Sequence, residues 1–170
     1  MQKISSSKIK LDLYLFNFIN GFAKKQKWLD FVAIFFARYL GYIIIVVLAV
    51  LAFKDINIFI TPVLAGLFSR FILNESVYFF YKRKRPSETV DTNQLLKNPN
   101  HPALPSGHAS FFFAVSFALL FLDFNLGIIF LIASFFIGFF RVFAGVHWPS
   151  DILSGIVAGG ISATIINYLL

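Results

Sequence analysis

Apolar residues in this chain run in long blocks, and its charged residues are confined to short breaks between them. No other property of the sequence limits the possible folds as strongly. A helix rises ~1.5 Å per residue and the hydrocarbon core of a bilayer is ~30 Å thick, so about 20 apolar residues suffice to cross it. Five stretches reach or approach that length: near Leu29 to Phe53, Ile56 to Tyr81, Ser106 to Leu122, Leu126 to Phe143 and Ser150 to Leu170. Backbone polar groups cannot be left unpaired in hydrocarbon, so such segments are helices. The predicted fold class is all-α: a polytopic transmembrane helix bundle with about five spanning helices, one domain over residues 1–170. Composition agrees. The chain is 58% hydrophobic with 24 Phe, above the ~45–50% apolar content of soluble domains.

The first 27 residues read differently. Leu11 to Ala23 is apolar but interrupted by Asp12, Asn17, Asn20 and Gly21. Its 13 residues rise only about 20 Å as a helix. Residues 1–27 are therefore predicted to be an amphipathic segment, interfacial or partly inserted, anchored by Lys24, Lys25, Lys27 and Trp28 at headgroup depth. Lys3, Lys8 and Lys10 precede this run, but no small-residue cleavage site follows it, so no cleavable signal peptide is expected. The net charge of +7 sits in short clusters between apolar blocks. That placement excludes nucleic acid as the expected partner and favours anionic headgroups or a phosphate substrate. The absence of cysteine removes disulfides, thiol catalysis and Cys-based zinc sites.

One polar segment, residues 82–105, is too long for a tight turn and contains Pro86, Asn98, Pro99, Asn100 and Pro102. Loops of that length in compact proteins are usually functional or disordered, and this one is read as an active-site loop. Three clusters lie at membrane boundaries: Lys82-Arg83-Lys84-Arg85-Pro86, Pro105-Ser106-Gly107-His108, and Arg141 with His147 and Asp151. The second span exits, the third re-enters and the fourth exits on one side, so the three clusters can converge there.

Two Arg, two His and an Asp are the groups phosphoryl transfer needs. A guanidinium stays charged and binds phosphate oxygens bidentately. A neutral imidazole can attack phosphorus, and a protonated one can supply the leaving oxygen's proton. A carboxylate can fix the tautomer of the attacking ring. Pro149 suits a first helical turn, which lets Asp151 point back to His147. Ser106 is expected to cap the third span, leaving the N–H groups of Ser106, Gly107 and His108 to face an anion. Taken alone, His147 and Asp151 would be read as a satisfied polar pair; the other clusters make the catalytic reading the stronger one. His101 matches no required position and is read as a loop histidine. Trp148 is read as an interface anchor.

Arg85-Pro86, then Pro105-Ser106-Gly107-His108, then Arg141-x5-His147-x3-Asp151 resembles the three-part signature of the type 2 phosphatidic acid phosphatase superfamily. That superfamily includes lipid phosphatases, bacterial undecaprenyl diphosphate phosphatases, acid phosphatases and vanadium haloperoxidases. The resemblance covers roughly residues 56 to 160, more weakly the stretch from Leu15 to Tyr42. It implies a membrane phosphatase that works without metal or other cofactor. His147 would be the nucleophile that forms a phosphohistidine, Asp151 would orient it, and His108 would protonate the leaving group and later assist water. Arg85, Arg141, Ser106 and Gly107 would hold the phosphate.

Two positions depart from the signature. Tyr78 stands where the family usually has Lys, and Phe140 where it usually has Ser. Lys82 or Lys84 can replace the missing charge, and Tyr78 can donate a hydrogen bond, so all three join the candidate phosphate-binding set. Arg70, Asn74 and Tyr78 share one helix face, which either lines the site or carries a buried network such as Arg70 with Glu75. The Phe runs are read as mostly lipid-facing or packing.

The expected substrate is a lipid phosphate or diphosphate, a polyprenyl diphosphate such as undecaprenyl diphosphate being favoured. Phosphatidic acid and phosphatidylglycerol phosphate remain alternatives, as does a non-catalytic headgroup-binding protein. The expected location is the bacterial cytoplasmic membrane. With the N-terminal helix in the interface, the lysine count favours a cytoplasmic site; the resemblance implies the extracytoplasmic face, which is the placement adopted. Activity should be bell-shaped in pH, with His147 neutral and His108 protonated.

Overall fold

The computed structural model describes residues 6–170, with side chains from Lys10 onward; Lys3 and the side chain of Lys8 lie outside the described residues. The described chain is helical and contains no strand. α1 is Ser6–Asn20, α2 Lys27–Leu51, α3 Asn57–Phe80, α4 Gly107–Leu122, α5 Phe124–Phe143 and α6 Pro149–Leu169.

α2, α3, α5 and α6 are each long and apolar enough to cross a membrane. α4, predicted as the third of five spans, has only 16 residues and rises ~24 Å. It need not match the lipid, because it is the central helix of the bundle. It packs against α3, α5 and α6, and Ala109, Ser110, Phe112 to Ser116, Ala118 and Leu119 are buried. α6 approaches it closely through the Gly155 and Gly159 pair. A methyl group on Gly155 would lie 2.7 Å from the Ala109 Cβ, and one on Gly159 2.7 Å from the Ala114 nitrogen. This small-xxx-small pair has a packing role.

The core beneath the site is apolar: Ile44 and Leu48 of α2, Phe112, Val115 and Leu119 of α4, and Phe130 and Ile137 of α5. Two of its buried hydroxyls, Ser116 and Ser134, pair 2.9 Å apart across α4 and α5. Outward faces carry Tyr42, Val46, Val50, Phe71, Ile129, Phe135 and Val157, an apolar surface suited to lipid. The protein is an integral membrane protein. The Phe runs divide between the two predicted roles: Phe79 and Phe80 face outward, Phe112 and Phe113 inward.

Two local departures from α-helix matter later. Phe35–Tyr39 of α2 and Ser69–Leu73 of α3 are π-helical turns, features that recur next to functional sites. α1 lies across one end of the bundle. Asp12 bonds to Arg83 and Ser150, Phe16 packs on Trp148 with ring centroids 5.0 Å apart, and Asn20 bonds to Asn93 and the Phe143 carbonyl. Contacts from Asp12 to Asn20 all reach this one end of the bundle.

Candidate active site

The three predicted clusters meet at the end covered by α1. Arg141 sits in the last turn of α5. The chain then reverses through Gly145, whose φ of +78° favours glycine, and delivers His147 just ahead of α6. Pro149 opens α6, and Asp151 lies in its first turn. The 82–105 loop folds back over this corner and contributes Arg85, His101 and Ala103.

His147 is buried, at 1% exposure. Its Nδ1 lies 3.0 Å from the Ala103 carbonyl and 3.4 Å from Asp151 Oδ2. Both are acceptors, so Nδ1 carries the proton. Its Nε2 lies 3.3 Å from Arg85 Nη1, which can only donate. The two contacts fix one tautomer, with the lone pair on Nε2. Burial, and then the Arg141 and Arg85 charges, hold the His147 pKa well below the ordinary imidazole value. The ring is therefore neutral at neutral pH, as a nucleophile must be. The geometry adds one thing to the sequence expectation: the Ala103 carbonyl is a closer partner of Nδ1 than Asp151 is.

Both oxygens of Asp151 are held. Oδ2 accepts the Trp148 N–H at 2.8 Å and Oδ1 accepts Arg83 Nη1 at 2.6 Å. Arg83, a member of the basic cluster at residues 82–85, turns inward. Its Nη2 pairs with Asp12 Oδ2, and its Nη1 also donates to Ser150 Oγ at 2.6 Å. Its guanidinium lies over the Trp148 ring, 5.7 Å from the centroid. Trp148 is not an interface anchor: it is buried beneath Phe16, and its Nε1 donates to the Lys84 carbonyl at 3.1 Å.

Beside His147 lie buried polar groups with unused bonding capacity. Ser106 Oγ is buried and has no partner. The expected helix cap does not form, and the Ser106 N–H is taken by the Asp151 carbonyl at 3.0 Å. The first-turn N–H groups of Gly107 and His108 have no intrahelical acceptor. Arg141 donates Nη1 to the Ala37 carbonyl, within the π-helical turn of α2, at 2.9 Å, while its Nε is buried and unpartnered. Unpaired buried donors cost ~1–3 kcal/mol each, so they imply an acceptor that arrives later. An anion is the acceptor that satisfies a hydroxyl, a guanidinium and a helix N-terminus together.

Arg85 is 1% exposed. Besides Nε2 of His147 it donates to the carbonyls of Val146 at 2.6 Å and of His101 and Pro102 at 3.2–3.3 Å. It thus fastens the loop as well as facing His147. His108 is exposed, and its ring lies 6.4 Å from that of Phe112. Tyr78 donates its hydroxyl to the Pro105 carbonyl at 2.7 Å, which spends its one donor on holding the loop just before Ser106. Lys82 and Lys84 are exposed and line a cavity of about 390 Å³ with Glu88, Asn98, Asn100 and His101.

Three further residues, His101, Arg70 and Phe140, take their surroundings from the fold. His101 stacks on Tyr78, ring centroids 5.3 Å apart, with Nδ1 3.3 Å from Arg85 Nη2. Its place six residues before Gly107 in the polar loop was the available signal. Arg70 pairs with Glu75 at 2.7 Å and also lies against the start of α4, where a methyl on Gly107 would meet its Nε at 2.8 Å. The Arg70–Glu75 pair is solvent-accessible rather than the buried network expected, and the Arg70 side chain also reaches the N-terminus of α4. Phe140, where the signature has Ser, stacks on Phe36 at 5.1 Å within a cluster of Ala33, Ala37 and Phe143. It is a packing residue.

Residues 59–170 match the model of the PAP2 superfamily. Curated relatives include the bacitracin transport permease protein BcrC of Bacillus licheniformis, 27% identical over 92% of this chain and 79% of that protein. The undecaprenyl-diphosphatase BcrC of Bacillus subtilis is 26% identical over 91% and 80%. Among solved structures, that of Aquifex aeolicus LpxE superposes with a TM-score of 0.78 at 29% identity, covering 92% of this chain and 94% of that one. A PAP2-type phosphatidylglycerolphosphate phosphatase from Bacillus subtilis, 19% identical with a TM-score of 0.69 over 97% and 87%, shares the fold. The site geometry and the family match agree, and the chain belongs to the PAP2 superfamily.

Proposed function

We propose that the protein is a membrane phosphatase that removes the terminal phosphate of a lipid diphosphate, undecaprenyl diphosphate in the first place, through a phosphohistidine on His147. The observation that carries this reading is a buried, neutral imidazole with its lone pair fixed on Nε2, set among unpartnered donors from Ser106 and Arg141. The reaction has two steps. Nε2 attacks the terminal phosphorus, the P–O bond to the leaving group breaks, and His108 gives that oxygen a proton. His108 then takes a proton from water, whose oxygen attacks phosphorus and breaks the P–N bond. Arg85 Nη1 moves from Nε2 to a phosphate oxygen as substrate enters, which frees the lone pair. The Arg141, Ser106 and α4 N-terminal donors hold the charge that develops on the equatorial oxygens. Lys82 and Lys84 meet the outer phosphate or the headgroup region.

The choice of lipid is supported by relatives named undecaprenyl-diphosphatase and by a site built at the ends of apolar helices. The proposed membrane is the bacterial cytoplasmic membrane, with the site on its extracytoplasmic face. The basic-residue bias toward the opposite orientation is reduced because three of the residues on that side, Arg83, Arg85 and Arg141, are bound into the site and do not act as free topogenic charges. The test is phosphate release from undecaprenyl diphosphate, phosphatidic acid and phosphatidylglycerol phosphate in detergent with EDTA. Release fastest from the diphosphate and unaffected by EDTA is the expected result. No release from any of the three by folded protein would favour a headgroup-binding role.

A further inference from the structure

We infer that Asp12, on α1, is a positioning residue for the nucleophile, acting through Arg83 on Asp151. The inference rests on His147 being the nucleophile. It concerns a residue outside the stretch that matches the family, which begins at residue 59.

Arg83 stands between two carboxylates, one on each arm of its fork: Asp151 Oδ1 at 2.6 Å from Nη1, and Asp12 Oδ2 at Nη2. Among the described residues it is the one side-chain donor to Oδ1 of Asp151. Asp151 is fully buried, so this contact largely decides how its carboxylate is turned and charged. Arg83 itself is not locked by Asp151 alone. Its side chain is 21% exposed, and it sits in a run with Lys82 and Lys84, both of which face outward. A long cation in that position is free to swing toward a phosphate group, which would release Asp151. Asp12 prevents this by taking the second arm.

Asp12 is held for the task. Its Oδ1 accepts the Ser150 N–H at 3.0 Å and its Oδ2 accepts the Ser150 hydroxyl at 2.7 Å. Ser150 is in the first turn of α6, whose N–H groups lack intrahelical acceptors. A carboxylate from another helix therefore caps α6, favourably oriented to its dipole, one residue before Asp151. Phe16, one turn further along α1, closes the same corner over Trp148. Asp12, Arg83, Ser150 and Asp151 form one connected set, and α1 is a working part of the site rather than only an anchor.

The test compares kcat and KM for undecaprenyl diphosphate in detergent, per mole of monodisperse protein. Asp12→Asn keeps the shape and removes the charge. It should lower kcat about tenfold, the worth of one charge-assisted hydrogen bond, with KM within about twofold of the parent. Asp12→Glu should recover most of the loss. Arg83→Lys, which replaces the two-armed fork by a single compact ammonium, should lower kcat more. Adding Asp12→Asn to Arg83→Lys should cost little further, because one acts through the other. Parent kcat in Asp12→Asn, a change confined to KM or thermal midpoint, or independent multiplication of the two effects would overturn the inference. If Asp12→Asn does not fold, Arg83→Lys decides: lower kcat at parent KM supports it and parent kcat overturns it. Failure of both to fold would make the set a stability tie and also overturn it. His147→Ala separates the two readings. If that variant is as active as the parent, the nucleophile assignment fails; if it is inactive while Asp12→Asn equals the parent, only the present inference fails.

Discussion

Ser106→Ala should make the protein more stable and less active. A Ser at a helix N-cap usually contributes ~1 kcal/mol of stability through its hydroxyl, so the ordinary expectation is a loss. Here the Ser106 hydroxyl caps nothing and is buried without a partner. Removing it relieves a desolvated polar group worth ~1–3 kcal/mol, less a small cavity term. A net gain of about 1 kcal/mol raises the midpoint of a domain this size by roughly 2–4 °C. In the proposed reaction the same hydroxyl donates to a phosphate oxygen. Loss of a hydrogen bond to a charged acceptor costs ~1.5–3 kcal/mol, which is about 10- to 100-fold in kcat. The assay pairs thermal unfolding in detergent with phosphate release from undecaprenyl diphosphate, and inorganic phosphate or vanadate should stabilise the parent more than the variant. A variant of lower midpoint with parent kcat would refute the argument, because it would mean that the hydroxyl serves the fold and not the substrate.

The His147 pKa lies below the ordinary imidazole value, so the acidic limb of kcat/KM should fall below about pH 6.5; an acidic limb above neutrality would contradict it. The same shift predicts how stability changes with pH. The folded state binds this proton less well than the unfolded state, so stability is constant above about pH 6.5 and falls as pH drops toward the folded-state value, which unfolding at pH 7.5 and 5.5 would reveal. Phe140→Ser restores the family residue but empties the cluster against Phe36 and Phe143, so it should cost about 3 kcal/mol of stability without raising kcat. Because the chain has no cysteine, Asn100→Cys gives a single label in the loop; a membrane-impermeant maleimide should react with it in intact cells if the site is extracytoplasmic, and only after lysis if it is not.

The helix bundle was readable because apolar block length is a physical requirement of the bilayer, and five blocks with polar ends leave few arrangements. The length of α4 was not, since a central helix surrounded by protein escapes the rule that sets the length of the others. Arg85, Ser106, Gly107, Arg141, His147 and Asp151 were legible from spacing, and the structure brings them to one corner. What spacing hides is the direction of each side chain. Lys82, Arg83 and Lys84 are neighbours with similar charge, yet Arg83 points into the protein because two carboxylates wait there, one of them about 70 residues away in α1. The partners of His147 Nδ1 and Arg141 are backbone carbonyls, of Ala103 and Ala37, and no residue type in the sequence advertises a carbonyl. His101 was set aside because it fits no motif position; only the path of the loop brings it onto Tyr78.

The most direct test of the central claim is to trap the covalent intermediate. The parent is mixed with undecaprenyl diphosphate labelled in the terminal phosphate, quenched in alkali within the first turnover, and digested for mass spectrometry. The account predicts phosphate on His147, more of it in His108→Ala where hydrolysis is slowed, and none in His147→Ala. Full turnover with the label on another residue, or with activity surviving in His147→Ala, would contradict it.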